Sequence, residues 1–303
     1  MLTMEKHDEI TKQLSTIRDY ARWAMGRMSQ AQVFFGHGTD NAWDEAITLI
    51  FHLLHLPAEA DQRVLDAVLT KAERQLIIRV VETRVHERIP LPYLTNQAWF
   101  ASMPFTVDER VLIPRSPIAE LIESGFAPWA TAPIHKVLDL CTGSGCIGIA
   151  CVAYLAQASA DLADISVDAL EVARQNVARH QLAADTRLIQ SDLFADISQQ
   201  YDLIVTNPPY VDSVDLASMP AEFHHEPRMA LEAGDDGLDC ARAILADAAN
   251  YLTETGILVM EVGNSWVALE QAYPNVPFTW VEFERGGHGV CVFTRAELLQ
   301  YFG

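Results

Sequence analysis

The sequence predicts an α/β fold built on a parallel sheet, preceded by a small all-helical domain and a β-hairpin connector. Three observations predict it. From about residue 134 onward, apolar runs of strand length alternate with helical stripes, the pattern of a parallel sheet with right-handed crossovers. The first of those strands runs straight into a glycine-rich turn and then a helix. Before about residue 90, apolar residues recur at helical spacing and no β-rich segment occurs. The expected domains are therefore 1–90 (helical), 91–131 (connector) and 132–303 (α/β).

In the helical domain, Ile17, Tyr20, Ala21, Ala24 and Met28 share one stripe, and Ala46, Ile47, Ile50, Phe51 and Leu54 share another. Pro57 is expected to start a further helix, with acids in its first turn and Leu65, Val68, Leu69 and Ala72 on its apolar face. Leu76, Val80 and Val81 begin the next. His52 and His55 stand three apart, but no third ligand lies nearby in sequence, so a packed or surface pair is expected instead of a metal site.

Ile89-Pro90-Leu91-Pro92 breaks the helical pattern. Ala98–Ala101 and Pro104–Val107 then read as two short strands across a polar turn, a hairpin. In the α/β domain the expected strands are Lys136–Leu140, a weak second strand over Ala158–Ala163, Arg187–Ser191, Tyr201–Val205 and Gly256–Val262. A closing pair follows at Phe278–Phe283 and Gly289–Thr294. The second strand has no β-branched residue and is placed because the topology needs it. Helices are expected over Ile149–Ala156, after the N-cap Ser166 with Ala169, Leu170, Ala173 and Val177 inward, and over Cys240–Leu252.

Half of the 303 residues are hydrophobic and the net charge is −20, so the chain is globular and not disordered. The sequence pI of about 4.7 argues against a protein that grips duplex DNA by its phosphates and favours a basic partner. Cys141, Cys146 and Cys151 lie five apart with no C-x-x-C pair, which argues against a disulfide scaffold or a zinc site. Met1–Asp19 lacks an apolar signal core and no apolar run approaches the roughly 20 residues that span a bilayer, so a cytoplasmic protein is expected.

Two stretches carry chemistry. Lys136-Val137-Leu138-Asp139-Leu140 leads into Cys141-Thr142-Gly143-Ser144-Gly145-Cys146-Ile147-Gly148, the strand, glycine turn and helix of nucleotide-cofactor sites. It does not match the dinucleotide fingerprint, and no Gly-Lys-Ser/Thr follows as in a P-loop. Asn207-Pro208-Pro209-Tyr210 ends a buried strand with a polar amide and two prolines, at the strand end where open α/β sheets place ligands.

These stretches, with Asp164-Ile165-Ser166 and Ser191-Asp192-Leu193-Phe194, resemble the ordered motifs of class I S-adenosylmethionine-dependent methyltransferases. Asn207-Pro208-Pro209-Tyr210 narrows the resemblance to enzymes that methylate an amide or a base amino nitrogen. Leu112-Ile113-Pro114-Arg115 and the wording of the connector from Glu87 to Phe100 resemble the protein-glutamine N5-methyltransferases, and look closest to their ribosomal-protein branch. The resemblance implies a seven-stranded Rossmann-like sheet, S-adenosylmethionine as cofactor, and a glutamine of large-subunit ribosomal protein L-three as substrate. It implies that the N-terminal helices help to dock that protein.

The resemblance also distributes roles. Asp164, with Ile165 beside it, would hold the ribose hydroxyls, as the acid at a second strand's end does in dinucleotide sites, with Asp161 on the same strand as the alternative. Asp192 would accept from the adenine amino group, with Leu193 or Phe194 against the ring. Asp139 would meet the cofactor's ammonium, and Cys141, Thr142, Gly143 and Gly145 its amino-acid end. Asn207 would face the cofactor and, with Pro208, hold the substrate amide; Pro209 and Tyr210 would complete that wall, Tyr210 over the amide plane. Arg115 has a candidate substrate role, and equally could pair with Glu120 on the surface. The loop 211–239, with Glu226-Pro227-Arg228, is long enough to be functional; a metal site at His224 and Glu226 is a minor reading. Three alternatives stay open: a release-factor glutamine methyltransferase, an adenine-N6 nucleic-acid methyltransferase, and a cofactor-binding adaptor with a degenerate site.

Overall fold

The computed structural model describes residues 4–303, with side chains from Glu9 onward. Met1 to Thr3, where the expected helical domain begins, lie outside the described residues. The elements in chain order are α1 (Met4–Gln13), α2 (Ile17–Gln30), α3 (Ala42–Leu53), α4 (Lys71–Glu87), α5 (Leu91–Thr95), β1 (Gln97–Phe100), β2 (Met103–Thr106) and α6 (Ile118–Glu123). They continue with β3 (Lys136–Leu140), α7 (Cys146–Tyr154), β4 (Ser159–Asp164), α8 (Val167–Arg179), β5 (Thr186–Gln190), β6 (Tyr201–Thr206), α9 (Ser213–Ser218) and α10 (Asp239–Asp247). The last are β7 (Leu252–Glu261), α11 (Trp266–Ala272), β8 (Thr279–Trp280), β9 (Val290–Thr294) and α12 (Arg295–Tyr301).

The chain divides into two units, Met1–Gln97 with Pro220–His225, and Ala98–Met219 with Glu226–Gly303. The expected boundary at residue 90 therefore moves past α5, which belongs to the helical unit, while most of the hairpin belongs to the α/β unit. The expected loop 211–239 is shared between the two.

In the helical unit, Thr16 with Asp19 and Thr70 with Glu73 form capping boxes that start α2 and α4. The fully buried Tyr20, Met28, Leu49, Ile50 and Ile77 fill the core. The helix expected from Pro57 does not form. Asp61 caps a single three-ten turn at Gln62–Asp66, Leu69 bonds back to Ser15 through its backbone N–H, and the Thr70 cap restarts the chain as α4. Arg84, 1% exposed, donates to Glu45 at 2.6 Å, to Glu222 at 3.2 Å and to the Phe34 carbonyl at 2.8 Å. A guanidinium buried this deeply is tolerable only with its donors met.

The α/β unit carries a seven-stranded sheet in the order β5-β4-β3-β6-β7-β9-β8. Pairing is parallel from β5 to β7 and antiparallel at β7–β9 and β8–β9. Period-two alternation sorts the side chains into two cores. Val137, Leu203, Val205, Ile257 and Val259 face one with α6 and α7, while Leu138, Ile204, Leu258 and Met260 face the other with α10 and α12. The weak second strand is real. Ser159–Asp164 pairs with β3 on one side and β5 on the other, and α7 packs closely on it through Gly148. A Cβ on Gly148 of α7 would stand 2.2 Å from Leu162 and 2.9 Å from the Asp139 Cβ. Cys240–Leu252 is split into α10, a three-ten turn and the start of β7. The order reverses beside β3: β4 and β5 lie to one side, β6 to the other. The glycine turn and the Asn207 turn leave the C-terminal ends of those two adjacent strands, which is where such sheets open a crevice. No helix among the described residues is long and apolar enough to cross a membrane.

Candidate active site

A cavity of about 250 Å³ opens at that crevice. Its walls come from five places: the segment Arg110–Ser116, the glycine turn, the ends of β4 and β5, the Asn207 turn, and residues 227–232 with Cys240. Of the residues expected at the site, Arg115, Cys141, Thr142, Gly143, Asp164, Ile165, Asp192, Leu193, Asn207 and Pro209 line it. Asp139, Gly145, Pro208 and Tyr210 are not among its lining residues.

The glycine turn is held from below. Asp139 is fully buried, and its Oδ2 accepts from Thr142 Oγ1 at 2.5 Å and from the Gly148 N–H at 2.8 Å. Oδ2 thus shapes the turn, while Oδ1 of the same carboxylate is buried with no hydrogen-bond partner in the protein. Burial pushes its pKa up to about 7, against the pull of those two hydrogen bonds and with Asp164 adding to the rise. Asn176, buried on α8, ties the turn to the hairpin: its Nδ2 donates to the Ser144 and Thr106 carbonyls, and its Oδ1 accepts from the Thr106 N–H.

Asp164 is the acid of β4 that reaches the cavity. Its Oδ2 accepts from the Gly143 N–H at 2.8 Å and its Oδ1 from the Ser166 N–H at 2.9 Å. Burial raises its pKa, opposed by those backbone donors. Asp161, the other candidate on β4, binds Arg187, Gln199 and Tyr201 instead. After β5, Leu193 takes a left-handed backbone (φ 47°), its carbonyl held by Ser191 Oγ at 2.6 Å, and its side chain lines the cavity. Phe194 turns inward and stacks on Tyr251 at 4.6 Å, so only Leu193 remains to face a ring there.

At the end of β6, Thr206 Oγ1 donates to the Leu140 carbonyl at 2.7 Å and pins the strand to β3. Asn207 follows, and its Oδ1 is buried with no hydrogen-bond partner in the protein. Pro208 and Pro209 bring no N–H that could supply one. Such an orphaned acceptor costs stability and points to a donor from outside the chain. Tyr210 is held by the end of β7 and the segment after it. Its hydroxyl donates to Glu261 at 3.2 Å and its ring lies against Gly263.

Arg115 does not pair with Glu120. Its two terminal nitrogens clasp Glu226 at 2.6 and 2.9 Å, and one also reaches the Ile113 carbonyl. Glu120 instead accepts from the backbone of Glu284 and Arg285. The sequence reading also missed Asn176, Ser116 and Glu261. Only Glu226 had left a signal, as part of the segment that resembled the family. The others make contacts between residues far apart in the chain, which no local pattern announces.

A sheet of this order, with a glycine turn and an amide turn at its reversal point, defines a methyltransferase of the class I fold. The family described as Methyltransferase small domain matches residues 129–236. The hMettl16 catalytic domain, solved in complex with an RNA hairpin, covers 78% of this chain and 87% of its own at TM-score 0.50 and 15% identity, a likeness of fold alone. Two relatives are each named ribosomal protein uL3 glutamine methyltransferase. That of Francisella tularensis subsp. tularensis is 49% identical over 99% of this chain and 97% of its own. That of Neisseria gonorrhoeae is 47% identical over 96% of this chain and 98% of its own. The chain belongs to the family of ribosomal protein uL3 glutamine methyltransferases.

Proposed function

We propose that this protein transfers a methyl group from S-adenosylmethionine to the side-chain amide nitrogen (N5) of a glutamine in ribosomal protein uL3, in the cytoplasm. The observation that carries the reading is the buried, unpartnered Oδ1 of Asn207 at the cavity wall.

The walls fit the cofactor. Each oxygen of Asp164 accepts one backbone N–H, so lone pairs remain for ribose hydroxyls. Ile165 and Leu193 offer apolar surface to a flat ring, with Asp192 beside them for an exocyclic amino group. The glycine turn, with Cys141 and Thr142, would hold the amino-acid end. When bound, S-adenosylmethionine supplies an electrophilic methyl group on sulfur.

The chain's own task is to present the amide. A glutamine NH₂ is a double donor whose lone pair is delocalised into its carbonyl. Asn207 Oδ1 takes one N–H and the Pro208 carbonyl the other. Two fixed acceptors aim the nitrogen and favour charge growing on it as it becomes tetrahedral. The prolines suit this role because they offer carbonyls without competing donors. No residue need remove a proton before attack. The net charge of −20 favours a basic substrate.

The test is intact-mass spectrometry after incubating the protein and S-adenosylmethionine separately with unmodified uL3, a release factor, and adenine-containing duplex DNA. A 14-dalton gain on a uL3 glutamine, reduced about 10²–10³-fold in rate by Asn207→Ala, is expected. A gain only on the release factor would overturn the substrate, and a gain only on DNA the reaction class.

A further inference from the structure

The segment that ends β7 reads Glu261-Val262-Gly263-Asn264-Ser265, and no role is yet attached to it. Glu261 is 5% exposed at the end of a run, Ile257–Met260, that is wholly buried and apolar. A carboxylate there costs several kcal/mol unless its oxygens are met by donors. Both are met, and by residues on different walls of the site. Oε2 accepts from Ser116 Oγ at 2.5 Å, and Oε1 from the Tyr210 hydroxyl at 3.2 Å. Ser116 directly follows Arg115 and lines the cavity. Tyr210 ends the Asn207 turn.

The register explains why this position was available. β6 and β7 run parallel, with Thr206 opposite Met260, so the next positions along the two strands are Asn207 and Glu261. The rest of the segment completes a mould for Tyr210. Gly263 lies so close to its ring that a Cβ there would stand 2.5 Å from it. Ser265 Oγ donates to the Tyr210 carbonyl at 2.6 Å. Tyr210 is thus fixed at ring, hydroxyl and carbonyl from one short segment, while the two prolines before it bring no N–H to the turn.

We infer that Glu261 is a positioning residue for methyl transfer: by holding Tyr210 and Ser116 on one buried carboxylate, it sets the Asn207–Pro208 acceptors against the opposite wall of the cavity. This rests on the reading of Asn207 as the acceptor of the substrate amide. Glu261 is not among the residues lining the cavity and both its oxygens are engaged by protein donors, so its role is to position and not to react. Its effect belongs to kcat. A 1 Å displacement of the acceptors transmitted from outside the reacting centre is enough for about a hundredfold loss.

The experiment compares Glu261→Ala, Glu261→Gln, Tyr210→Phe and the double variant Glu261→Ala/Tyr210→Phe on full-length protein. Steady-state kinetics with uL3 are read beside S-adenosylmethionine affinity and hydrogen exchange of the 203–213 segment. Glu261→Ala is expected to lower kcat about 10–100-fold, with KM and cofactor affinity within about threefold. Glu261→Gln keeps one acceptor oxygen and should recover most of the loss. The double variant should lose no more than the worse single one, because both break the same contact. Exchange at Tyr210 and Val211 should rise in Glu261→Ala and stay near wild type in Glu261→Gln. Unchanged kcat and unchanged exchange in a folded Glu261→Ala protein would overturn the inference, as would additive losses. Should Glu261→Ala not fold, Tyr210→Phe must still raise exchange in this segment. Exchange needs no substrate, so wild-type inactivity on uL3 would count against the proposed reaction while the exchange data still decide the role of Glu261.

Discussion

Arg115 and Glu226 stand 111 residues apart in the chain and meet as a two-pronged pair, at 2.6 and 2.9 Å, on the rim of the cavity. The Glu226 side chain is wholly buried, and it also takes the Ile113 N–H at 3.0 Å. One carboxylate therefore joins the segment before α6 to the segment that follows the Asn207 turn. Arg115→Lys keeps the charge and loses the fork. We expect it to cost about 1–3 kcal/mol and to lower kcat/KM for the protein substrate at least severalfold. Calorimetry and steady-state kinetics on the same preparation check both. Full activity in Arg115→Lys would show that the pair is ornamental to the reaction.

Asp164, not Asp161, is the acid in the wall. Asp164→Ala should weaken S-adenosylmethionine binding about 10–100-fold, the loss of one or two hydrogen bonds to a charged acceptor. Asp161→Asn should leave cofactor affinity near wild type, since Asp161 is engaged with Arg187 and Tyr201. Isothermal titration calorimetry with both variants separates the two positions.

Asp139 gives the protein a pH signature. Its pKa is about 7 in the fold against 3.8 for an ordinary aspartate, so the native state keeps a proton that the unfolded chain releases between those values. That contribution to stability is complete below about pH 4 and is lost as pH rises through 7. Asp139→Asn cannot ionise and still offers an oxygen to Thr142 and Gly148. Its stability relative to wild type should therefore rise by about 2–4 kcal/mol between pH 5 and pH 8. Melting curves of the cofactor-free proteins at four pH values measure this; parallel curves would refute it.

Gly148→Ala tests the close packing of α7 on β3 and β4. The new methyl would meet Leu162 at 2.2 Å, which can shift, and the Asp139 Cβ at 2.9 Å, which cannot easily do so. The cost should be about 1–3 kcal/mol. The helix must also retreat from Asp139, lengthening the hydrogen bond that shapes the glycine turn. Cofactor affinity should fall with stability, and a protein that loses stability alone would separate the turn from the packing.

The sequence made the sheet legible because buried strands and glycine turns are local signals. Tyr201–Val205 followed by Asn207-Pro208-Pro209 can be read without any other part of the chain. The weak β4 was legible only through topology: its alanines have no strand preference, and where α7 comes closest, at Leu162, the room is made by Gly148 of the helix. Asp139 was visible as an acid before glycines, but sequence could not show whether it faces the cavity or lies beneath it. Its fate depends on Thr142 and Gly148 coming back over it. Arg115 illustrates the limit more sharply. Glu120 was five residues away and Glu226 was 111, and only the folded chain could choose the distant one.

The charge balance of the helical unit has a consequence for how the protein is made. Arg84 is buried between Glu45, on the same unit's α3, and Glu222, which lies 138 residues further along the chain. Glu222 also accepts from the Phe34 N–H and from Arg88 Nη1, so three residues in the first 90 wait for it. During synthesis the five N-terminal helices emerge first, and the Glu222 carboxylate that these donors share arrives only once Pro220–His225 has left the ribosome. Until then Arg84 has Glu45 as its carboxylate, and the Phe34 N–H lacks the acceptor it has in the folded protein. A fragment ending at Gln97 would lack that acceptor permanently.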